Sequence, residues 1–471
     1  MEDEVIIGLE VHVRLLTKTK LFCSCENKEV EEPNTNVCPV CMGFPGTKPM
    51  LNEKAIELAT LAAMALNCKI NKTFSFSRKV YFYPDLPKNF QITQYDAPIG
   101  VEGELMLLKA GRKIRIRRIH VEEDPARLVH VGGDITSASY ALVDYNRSGM
   151  PLIEIVTEPD LKTPAEAREA VATLALVLGH IGVCDPSAES AIRVDANISL
   201  AGGKRVEIKN ITGFANVEKA LLFEIARQKQ LRAMHMEVEQ ETRHFDEIKK
   251  TTSSLRTKES EEDYGYIFEP DLLTYRITDS MLGSLAPALE ELPGKRISRL
   301  ISKYQIPENY ARIIVYEGKN FADFFEHTAD IFGDRIMLAK WSVGDLLKCL
   351  NYNRIDVSQA KITPQSYAEF LSIIKSGEIT ERLGKELIKE FVATGTDPKR
   401  LAERYKNENF ENLDLTQVIE AVIKENPKAV EDYRKGNQKA LQFLIGKVLE
   451  KTNNTADPKK VKDMLNARVA Q

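Results

Sequence analysis

Charged and polar side chains alternate with apolar residues in several short segments of this chain. Side chains of a β-strand point alternately to its two sides, so the polar members of such a segment share one side. We therefore expect one sheet that buries its apolar side and presents its polar groups on an open side. Carboxylates gathered in this way suit metal and phosphate chemistry. The polar groups in these segments are Glu10, His12, Glu154, Asp195, Asn197, Glu207 and Lys209.

A further acidic cluster lies at residues 119–124, which read Ile-His-Val-Glu-Glu-Asp. Taken alone, such a cluster is more often the solvated end of a strand than a site. A β-bulge would change whether Glu122 or Glu123 lies on the open side, so both are candidates. In the same way, a single histidine beside a glutamate, such as His12, is more often an ordinary polar partner than a ligand.

Four cysteines have metal-ligand spacing. Cys23, Cys25, Cys38 and Cys41 form a C-x-C-x12-C-x2-C pattern. Two close pairs separated by a short loop can converge on one Zn²⁺, and four protein sulfurs leave no open coordination position, so we expect a structural zinc site. The alternative is four reduced thiols on a loop without metal. The remaining cysteines are isolated in apolar surroundings, where we expect them to pack as core residues.

The composition is that of an ordinary globular protein. The chain has 471 residues, of which 43% are hydrophobic and 28% charged, with a net charge of -4. No apolar run approaches the roughly 18 residues that span a membrane, and the acidic start resembles no targeting segment, so we expect a cytoplasmic protein without a membrane partner. Residues 112–118 and the tail beyond Asn437 are basic, which indicates either a nucleic-acid contact or a solvated face.

The pattern of elements predicts an α+β fold. Helices are expected after Asn52, which can cap a run through Leu66, after Thr163, and over residues 216–230. Several strands follow one another without a helix between them, so the sheet should be mostly antiparallel. The predicted strands are residues 5–14, 78–83, 112–123, 151–158, 192–200 and 205–211.

Beyond the sheet, the chain becomes helical. A polar stretch at 251–263 predicts a mobile loop or linker, and the composition changes near residues 293–294. A second polar stretch at 398–413 predicts a hinge. A stripe at i, i+3, i+4 and i+7 predicts a helix face in the core of the tail; its members are Leu441, Leu444, Ile445 and Val448. We expect an N-terminal sheet cradle with the zinc knuckle at 1–293, a helical domain at 294–405, and a small helical tail at 406–471.

Longer motifs in this order resemble the B subunit of the tRNA-dependent amidotransferases, and the resemblance runs from residue 5 to the C-terminus. It departs from the family pattern at Gly265 and Ile267, where arginine and phenylalanine are usual. The motifs that carry it are residues 8–12, 38–46, 120–124, 144–160, 193–197, 207–210 and 269–272.

The resemblance implies a two-step reaction on misacylated tRNA. ATP phosphorylates the side-chain carboxylate of glutamate on tRNA(Gln) or of aspartate on tRNA(Asn), and ammonia then displaces phosphate to leave the amide. The ammonia comes from glutamine in a partner amidase subunit, and a small third subunit completes a heterotrimer. The sequence does not choose between the glutamyl and aspartyl substrates. The helical tail would bind tRNA.

The resemblance also gives the site residues their expected roles. Mg²⁺ takes oxygen ligands and would sit among Glu10, His12, Glu122 and Glu123, with ATP bound without a P-loop. Tyr81 could stack on the tRNA acceptor end or simply pack in a strand, and Asn146 and Arg147 lie in a segment that otherwise indicates a turn. The expected catalytic residues are Glu10, His12, Glu122, Glu123, Glu154, Asp195 and Lys209, and the expected contacts to ATP or tRNA are Tyr81, Asn146, Arg147 and Asn197.

A second hypothesis is a scaffold that binds tRNA and carries a zinc knuckle but performs no chemistry. The basic helical tail suits both hypotheses, whereas carboxylates gathered on one sheet face favour the catalytic one.

Overall fold

The chain divides into two compact units, Met1–Lys295 and Arg296–Gln471. The first is built on a large sheet and the second is helical, so the α+β fold class is confirmed. The three-domain division stays a prediction. The computed structural model describes residues 4–107, 109–132, 138–188, 190–257, 265–410, 415–435, 437–452 and 458–469.

Sixteen strands are present among the described residues of the first unit. They are β1 (Val5–Arg14), β2 (Lys69–Ile70), β3 (Thr73–Phe74), β4 (Ser77–Val80), β5 (Phe90–Thr93), β6 (Gly100–Leu107), β7 (Arg112–Glu123), β8 (Arg127–Val131), β9 (Tyr140–Asp144), β10 (Pro151–Thr157), β11 (Ile192–Leu200), β12 (Val206–Thr212), β13 (Glu241–Asp246), β14 (Thr251–Thr257), β15 (Gly265–Phe268) and β16 (Tyr275–Arg276).

Twelve of these strands form one sheet, in the order β14-β13-β12-β11-β1-β10-β7-β5-β4-β15, with β6 pairing with β7 and β2 pairing with β6. Only β12 and β13 run parallel among the described pairs, which confirms the expected antiparallel sheet. The pairs β3–β16 and β8–β9 form two separate ribbons. Strands β11, β1, β10 and β7 lie side by side at the centre of the sheet, so they determine which polar groups meet.

The apolar side of the sheet packs against three helices, α1 (Glu53–Ala65), α2 (Pro164–His180) and α3 (Phe214–Ala233). Asn52 accepts a hydrogen bond from the Lys54 N–H, and Thr163 accepts one from the Glu166 N–H, so both predicted helix starts are confirmed. The alternation in β1 is also confirmed, because its apolar side chains are buried. Each such side chain contributes about 1.5–3 kcal/mol by leaving water. The four in β1 are Ile7, Leu9, Val11 and Val13.

One predicted loop is a strand. Residues Thr251–Thr257 form β14 and pair antiparallel with β13. The threonines are β-branched and favour extended backbone, and Thr252 is buried with its Oγ1 3.2 Å from Glu224 Oε2. The remainder of the predicted loop, 258–263, lies outside the described residues. The predicted strand at 78–83 is shorter than expected, because β4 ends at Val80.

The first unit also holds α4 (Asp279–Leu285), and α5 (Pro293–Tyr304) crosses the boundary between the units. Buried side chains of the second unit form two apolar clusters, one within residues 297–402 and one within 418–469. The other helices are α6 (Glu308–Tyr316), α7 (Lys319–Ile331), α8 (Arg335–Trp341), α9 (Leu347–Asn353), α10 (Pro364–Lys375), α11 (Glu381–Thr394), α12 (Pro398–Phe410), α13 (Leu415–Glu425), α14 (Pro427–Arg434), α15 (Gln438–Lys451) and α16 (Pro458–Val469).

The predicted hinge at 398–413 is wrong for residues 398–410, which form α12. The Asp397 carboxylate accepts hydrogen bonds from the N–H groups of Lys399 and Arg400, both at 3.0 Å, and thus caps the helix. Leu401 and Ala402 are buried in the larger apolar cluster. Charged residues dominate this segment, so its composition predicts a hinge although its short apolar patch is enough to anchor a helix. Residues 411–413 lie outside the described part.

The predicted tail helices are confirmed in α13 to α16. Leu441, Leu444 and Val448 are buried in the smaller cluster, and Ile445 packs against it. Among the helices of the described residues, none combines the length and apolar character needed to span a membrane.

Candidate functional site

The register of the central strands brings the predicted polar groups into rows. Asp195 of β11 lies opposite Glu10 of β1. Two positions along β1, His12 lies opposite Glu154 of β10, which lies opposite His120 of β7. Directly opposite residues of antiparallel strands point to the same side of the sheet. Residues from distant parts of the sequence therefore meet on one face.

The first cluster consists of His12, His120, Glu122 and Glu154. His12 Nε2 lies 3.4 Å from Glu122 Oε1 and 3.4 Å from Glu154 Oε2. His120 Nε2 lies 3.5 Å from Glu122 Oε2 and 3.4 Å from Glu154 Oε2. Ligand atoms of His12, Glu122 and Glu154 all lie within 4.8 Å of one another, a spacing that one metal ion can occupy.

The charged groups of this cluster shift one another's pKa values. Burial, the largest single influence, lowers the pKa of His12, but the hydrogen bond to Glu154 and the charge of Glu122 outweigh it and raise the pKa to about 9. Burial likewise lowers the pKa of His120, and the same two carboxylates raise it to about 9. Burial would raise the pKa of Glu154, yet the two histidines hold it well below its usual value. Both imidazoles are therefore protonated at neutral pH when no metal is bound.

The second cluster consists of Glu10, Asp195 and Glu207, whose carboxylate oxygens lie within 4.8 Å of one another. Burial and the neighbouring carboxylates raise the pKa of Glu10, as crowded anions do. Lys209 Nζ lies 3.6 Å from Asp195 and 3.8 Å from Glu207. Asn197 donates its side-chain N–H to Glu10 Oε1 at 2.9 Å. Lys209 and Asn197 thus hold the carboxylates of this cluster in place.

Glu123 does not join either cluster. Its carboxylate accepts hydrogen bonds from Lys88 Nζ, at 2.6 Å to Oε2, and from the Ile92 N–H at 2.8 Å. It lines a cavity beside Cys41 instead. Adjacent residues of a strand point to opposite sides, so a face that holds Glu122 excludes Glu123. Of the two alternative metal ligands at this point of β7, Glu122 lies with His12 and Glu154, and Glu123 does not.

Two other candidates are engaged by the protein itself. The Asn146 amide donates to the Glu32 carbonyl at 2.7 Å and accepts from the Asn36 N–H at 2.7 Å, so it holds the loop between the cysteine pairs. Arg147 pairs with the buried Asp124 carboxylate at 3.1 Å, and burial lowers the pKa of Arg147. Neither residue is brought to the carboxylate clusters by these contacts.

Tyr81 directly follows the last residue of β4, so both expectations for it, stacking on tRNA and packing beside the strand, stay predictions. The Lys79 ammonium lies 5.6 Å from the centre of its ring.

The four predicted cysteines converge, with their sulfurs within 4.8 Å of one another. The loop turns tightly at Gly43, whose φ of +67° suits glycine, and the Cys38 N–H lies 3.2 Å from Cys41 Sγ. A hydrogen bond from Cys23 and the buried Lys20 ammonium lower the pKa of Cys41 to about 5. A thiolate is the form that binds metal, so this cluster could hold a zinc ion.

Two members of the clusters are not among the predicted site residues. His120 belongs to one of the family motifs but was not expected in the site, although it shares its side of β7 with Glu122. Glu207 was placed on the polar face but not assigned a role. The period-two rule that selected Glu10 and His12 would have found both.

Four of the basic residues at 112–118 form ion pairs with carboxylates of the same chain. The pairs are Arg112 with Glu166, Lys113 with Glu104, Arg115 with Asp160, and Arg117 with Glu158. These contacts favour the solvated-face interpretation over a nucleic-acid contact.

Comparison with known families shows two matches. Residues 5–283 match a family described as the GatB/GatE catalytic domain, and residues 323–469 match one described as the GatB domain. The first match covers the whole central sheet, including both clusters and the four cysteines.

The chain is also similar along almost its full length to curated proteins named as the B subunit of aspartyl/glutamyl-tRNA(Asn/Gln) amidotransferase. The protein of Sulfurisphaera tokodaii is 44% identical over 98% of each chain. That of Methanoregula boonei is 44% identical over 97% of this chain and 96% of its own, and that of Thermotoga neapolitana is 42% identical over 97% of each. The resemblance stated from the motifs is therefore confirmed.

Proposed function

This chain belongs to the GatB/GatE family of tRNA-dependent amidotransferase subunits, and on that premise we propose that its sheet face activates the side-chain carboxylate of misacylated tRNA with ATP. The observation that carries the proposal is the pair of ligand clusters on one face. The substrate is Glu-tRNA(Gln), Asp-tRNA(Asn) or both. Two large subunits and a small one form the working heterotrimer.

The chemistry explains why ATP is needed. A carboxylate is a poor acyl donor because its leaving group would be oxide. One carboxylate oxygen attacks the γ-phosphorus, the bond to ADP breaks, and an acyl phosphate forms. Ammonia then attacks the acyl carbon, phosphate leaves with the bridging oxygen, and a proton is lost. Phosphoryl transfer of this kind depends on positioned cations more than on covalent catalysis.

The two clusters have donors that fit divalent cations. Carboxylate oxygens suit Mg²⁺, and five carboxylates with few cations among them are stable only if positive charge is supplied. His12, Glu122 and Glu154 would hold one ion, and Glu10, Asp195 and Glu207 would hold another. Bound there, Mg²⁺ would neutralise phosphate charge. His12 as a ligand is neutral, so binding of the ion would displace its proton.

The protein's own groups orient the site. Asn197 fixes the Glu10 carboxylate through its hydrogen bond, and Lys209 bridges Asp195 and Glu207. These contacts set the spacing of the carboxylates before any ligand binds, which reduces the reorganisation needed at the moment of transfer. Tyr81, outside the strand, is the aromatic residue that would stack on the tRNA acceptor end.

A structural zinc is the second part of the proposal. The four sulfurs have the donor set of a closed tetrahedral site. The buried Lys20 ammonium, 3.8 Å from Cys41 Sγ, offsets the negative charge that four thiolates place on zinc. Zinc here would fix the ends of a loop whose middle contacts Asn146 through Glu32 and Asn36.

The partners follow from the reaction. Ammonia must be supplied, and the sequence contains no Ser-Ser-Lys signature of a glutaminase. A separate amidase subunit would therefore release it. The tail, with seven Lys or Arg against three Asp or Glu beyond Asn437, would bind tRNA. A cytoplasmic location remains our expectation.

The test is ATP cleavage by the assembled complex, measured separately with Glu-tRNA(Gln) and Asp-tRNA(Asn). Glu10→Gln and Glu154→Gln should each lower the rate by about a hundredfold or more. Each variant lacks a charged metal ligand, and the metal would then stabilise the charge of the transition state less well. The matched control Glu104→Gln changes an exposed carboxylate that pairs with Lys113 and should leave the rate unchanged. Retained tRNA binding in the slow variants supports a phosphorylation site. Unchanged ATP cleavage in both would favour the scaffold hypothesis.

A further inference from the structure

A β-bulge in β7 changes which residues of that strand reach the open face. Ile114 and Ile116 are buried on the apolar side, and strict alternation would send residue 118 to the same side. Instead the register shifts between Val156 and Thr157 of β10, so that Thr157 lies opposite Ile116 and Val156 opposite Arg118. From there Ile119 and Val121 take the buried side. Arg118 therefore shares the open face with His120 and Glu122, as bulges often re-aim a side chain beside a site.

Arg118 is unlike the other basic residues of its strand. Four of them pair with carboxylates of the chain, including Arg117, which binds Glu158 at 2.9 Å. Among the described residues, Arg118 forms no ion pair, and its Nε is buried without a hydrogen-bond partner. A buried donor that lacks a partner destabilises the folded protein, because it has lost its hydrogen bonds to water. A protein can retain such a donor where a bound ligand supplies the missing acceptor.

The other cations near the clusters are engaged. Lys209 lies near Asp195 and Glu207, and Arg193, which lies opposite His12, binds Asp124 at 2.6 Å. Arg118 is thus the cation of this face without an acidic partner in the described part of the chain. Its guanidinium offers several donors in a planar fork, the geometry that binds phosphate oxygens in pairs.

We propose that Arg118 binds a phosphate group of ATP on this face. The inference rests on the proposed function, because it takes ATP as the ligand of the same face. Arg118 of β7 lies opposite Val156 of β10, which lies opposite Glu10 of β1, a candidate metal ligand. Two strand spacings separate them by about 10 Å, which a metal-bound triphosphate can span. A phosphate of tRNA is the competing source of the same chemistry.

The test compares Arg118→Gln, Arg118→Lys and the control Arg117→Gln in the assembled complex. Loss of a charge-assisted hydrogen bond should raise KM for ATP by about tenfold or more in Arg118→Gln, with a smaller rise in Arg118→Lys. Arg117→Gln removes the neighbouring arginine, whose partner is Glu158, and should leave KM for ATP unchanged. KM for the aminoacyl-tRNA should stay unchanged in all three.

Chemical rescue separates binding from a structural role. Arg118→Ala should regain ATP turnover when guanidinium ion is added at millimolar concentration, whereas Arg117→Ala should show no response. Equal KM values for ATP in Arg118→Gln and the control, a rise confined to KM for tRNA, or absence of rescue would each overturn the proposal. Glu154→Gln, measured in parallel, reports separately on the proposed function: unchanged ATP cleavage in that variant counts against phosphorylation on this face, whatever Arg118 does.

Discussion

At the scale of single residues, the two histidines and the two carboxylates that they share control the charge of the face. His12 and His120 each contact Glu122 and Glu154, and both have a pKa of about 9 without metal. Protons thus stabilise the cluster in the absence of Mg²⁺. A divalent cation would take over this role and release them.

The contacts of both histidines with the same two carboxylates predict that the stability of the protein depends on pH. A histidine whose pKa is raised from 6.5 to about 9 on folding stabilises the protein fully below pH 6.5, and the contribution disappears as the pH rises through about 9. Without added magnesium, the free energy of unfolding of the sheet unit should fall over this range. Denaturant titrations of the wild type and of His12→Gln at both ends of the range measure it. An equal fall in both proteins would contradict the account.

The cysteine cluster predicts the loss of one metal. Cys38→Ser removes one of the four sulfurs that would bind the zinc ion. Elemental analysis should therefore find about one zinc per chain in the wild type and almost none in the variant. Cys68→Ser, which changes a thiol outside the cluster, is the control and should keep its zinc. Full zinc occupancy in Cys38→Ser would refute the four-thiolate site.

Much of the site could be predicted residue by residue, because strand alternation needs only local sequence. Glu10, His12 and Glu154 were placed on one face from their spacing alone. Strict alternation alone does not separate Glu122 from Glu123, because a bulge earlier in β7 reverses which of them faces the open side. The roles of Asn146 and Arg147 depend on partners about 110 and 20 residues away, which no local pattern shows.

At the scale of elements, the bulge of β7 was visible in the sequence. The apolar residues Ile114 and Ile116 are two apart, whereas Ile116 and Ile119 are three apart, and this break marks the extra residue. By contrast, the polar composition of β14 predicts a loop, because the pairing with β13 that makes it a strand leaves no mark in its own residues. Long strands with strict alternation were thus predictable, and edge strands were not.

The α12 helix gives a prediction at this scale. Asp397→Ala removes the acceptor of two N–H groups and should lower the free energy of unfolding of the helical unit by about 1 kcal/mol. Urea titration monitored by circular dichroism measures the change. Lys399→Ala, an exposed change in the same helix, should cost much less. If both variants unfold like the wild type, the segment behaves as the hinge that its composition suggested.

At the scale of the whole molecule, we propose that chemistry and tRNA binding lie in different units. The carboxylate clusters and the cysteines all lie within Met1–Lys295, while the basic tail belongs to Arg296–Gln471. The tail has its own apolar cluster, which includes Ile419, Leu444 and Leu465. A change on the surface of the tail should therefore alter tRNA affinity without altering the sheet.

Lys460 and Lys462 are exposed on α16, and replacing both with glutamine tests this separation. Affinity for tRNA should fall several-fold at physiological salt, and the salt dependence of binding should weaken by about 0.7–0.9 in log–log slope for each phosphate that is no longer neutralised. KM for ATP should not change. Lys113→Gln, in the sheet unit, is the matched control. An unchanged salt slope in the double variant would remove the tail from the tRNA interface.

The central claim is that ATP phosphorylates the carboxylate of the aminoacyl group on this protein. Its most direct test follows oxygen from a substrate whose side-chain carboxylate carries ¹⁸O in both positions. The assembled complex, supplied with ATP and glutamine, should release inorganic phosphate in which each molecule carries one ¹⁸O atom, in step with amide formation. Amide formed together with phosphate that contains no ¹⁸O would contradict the account.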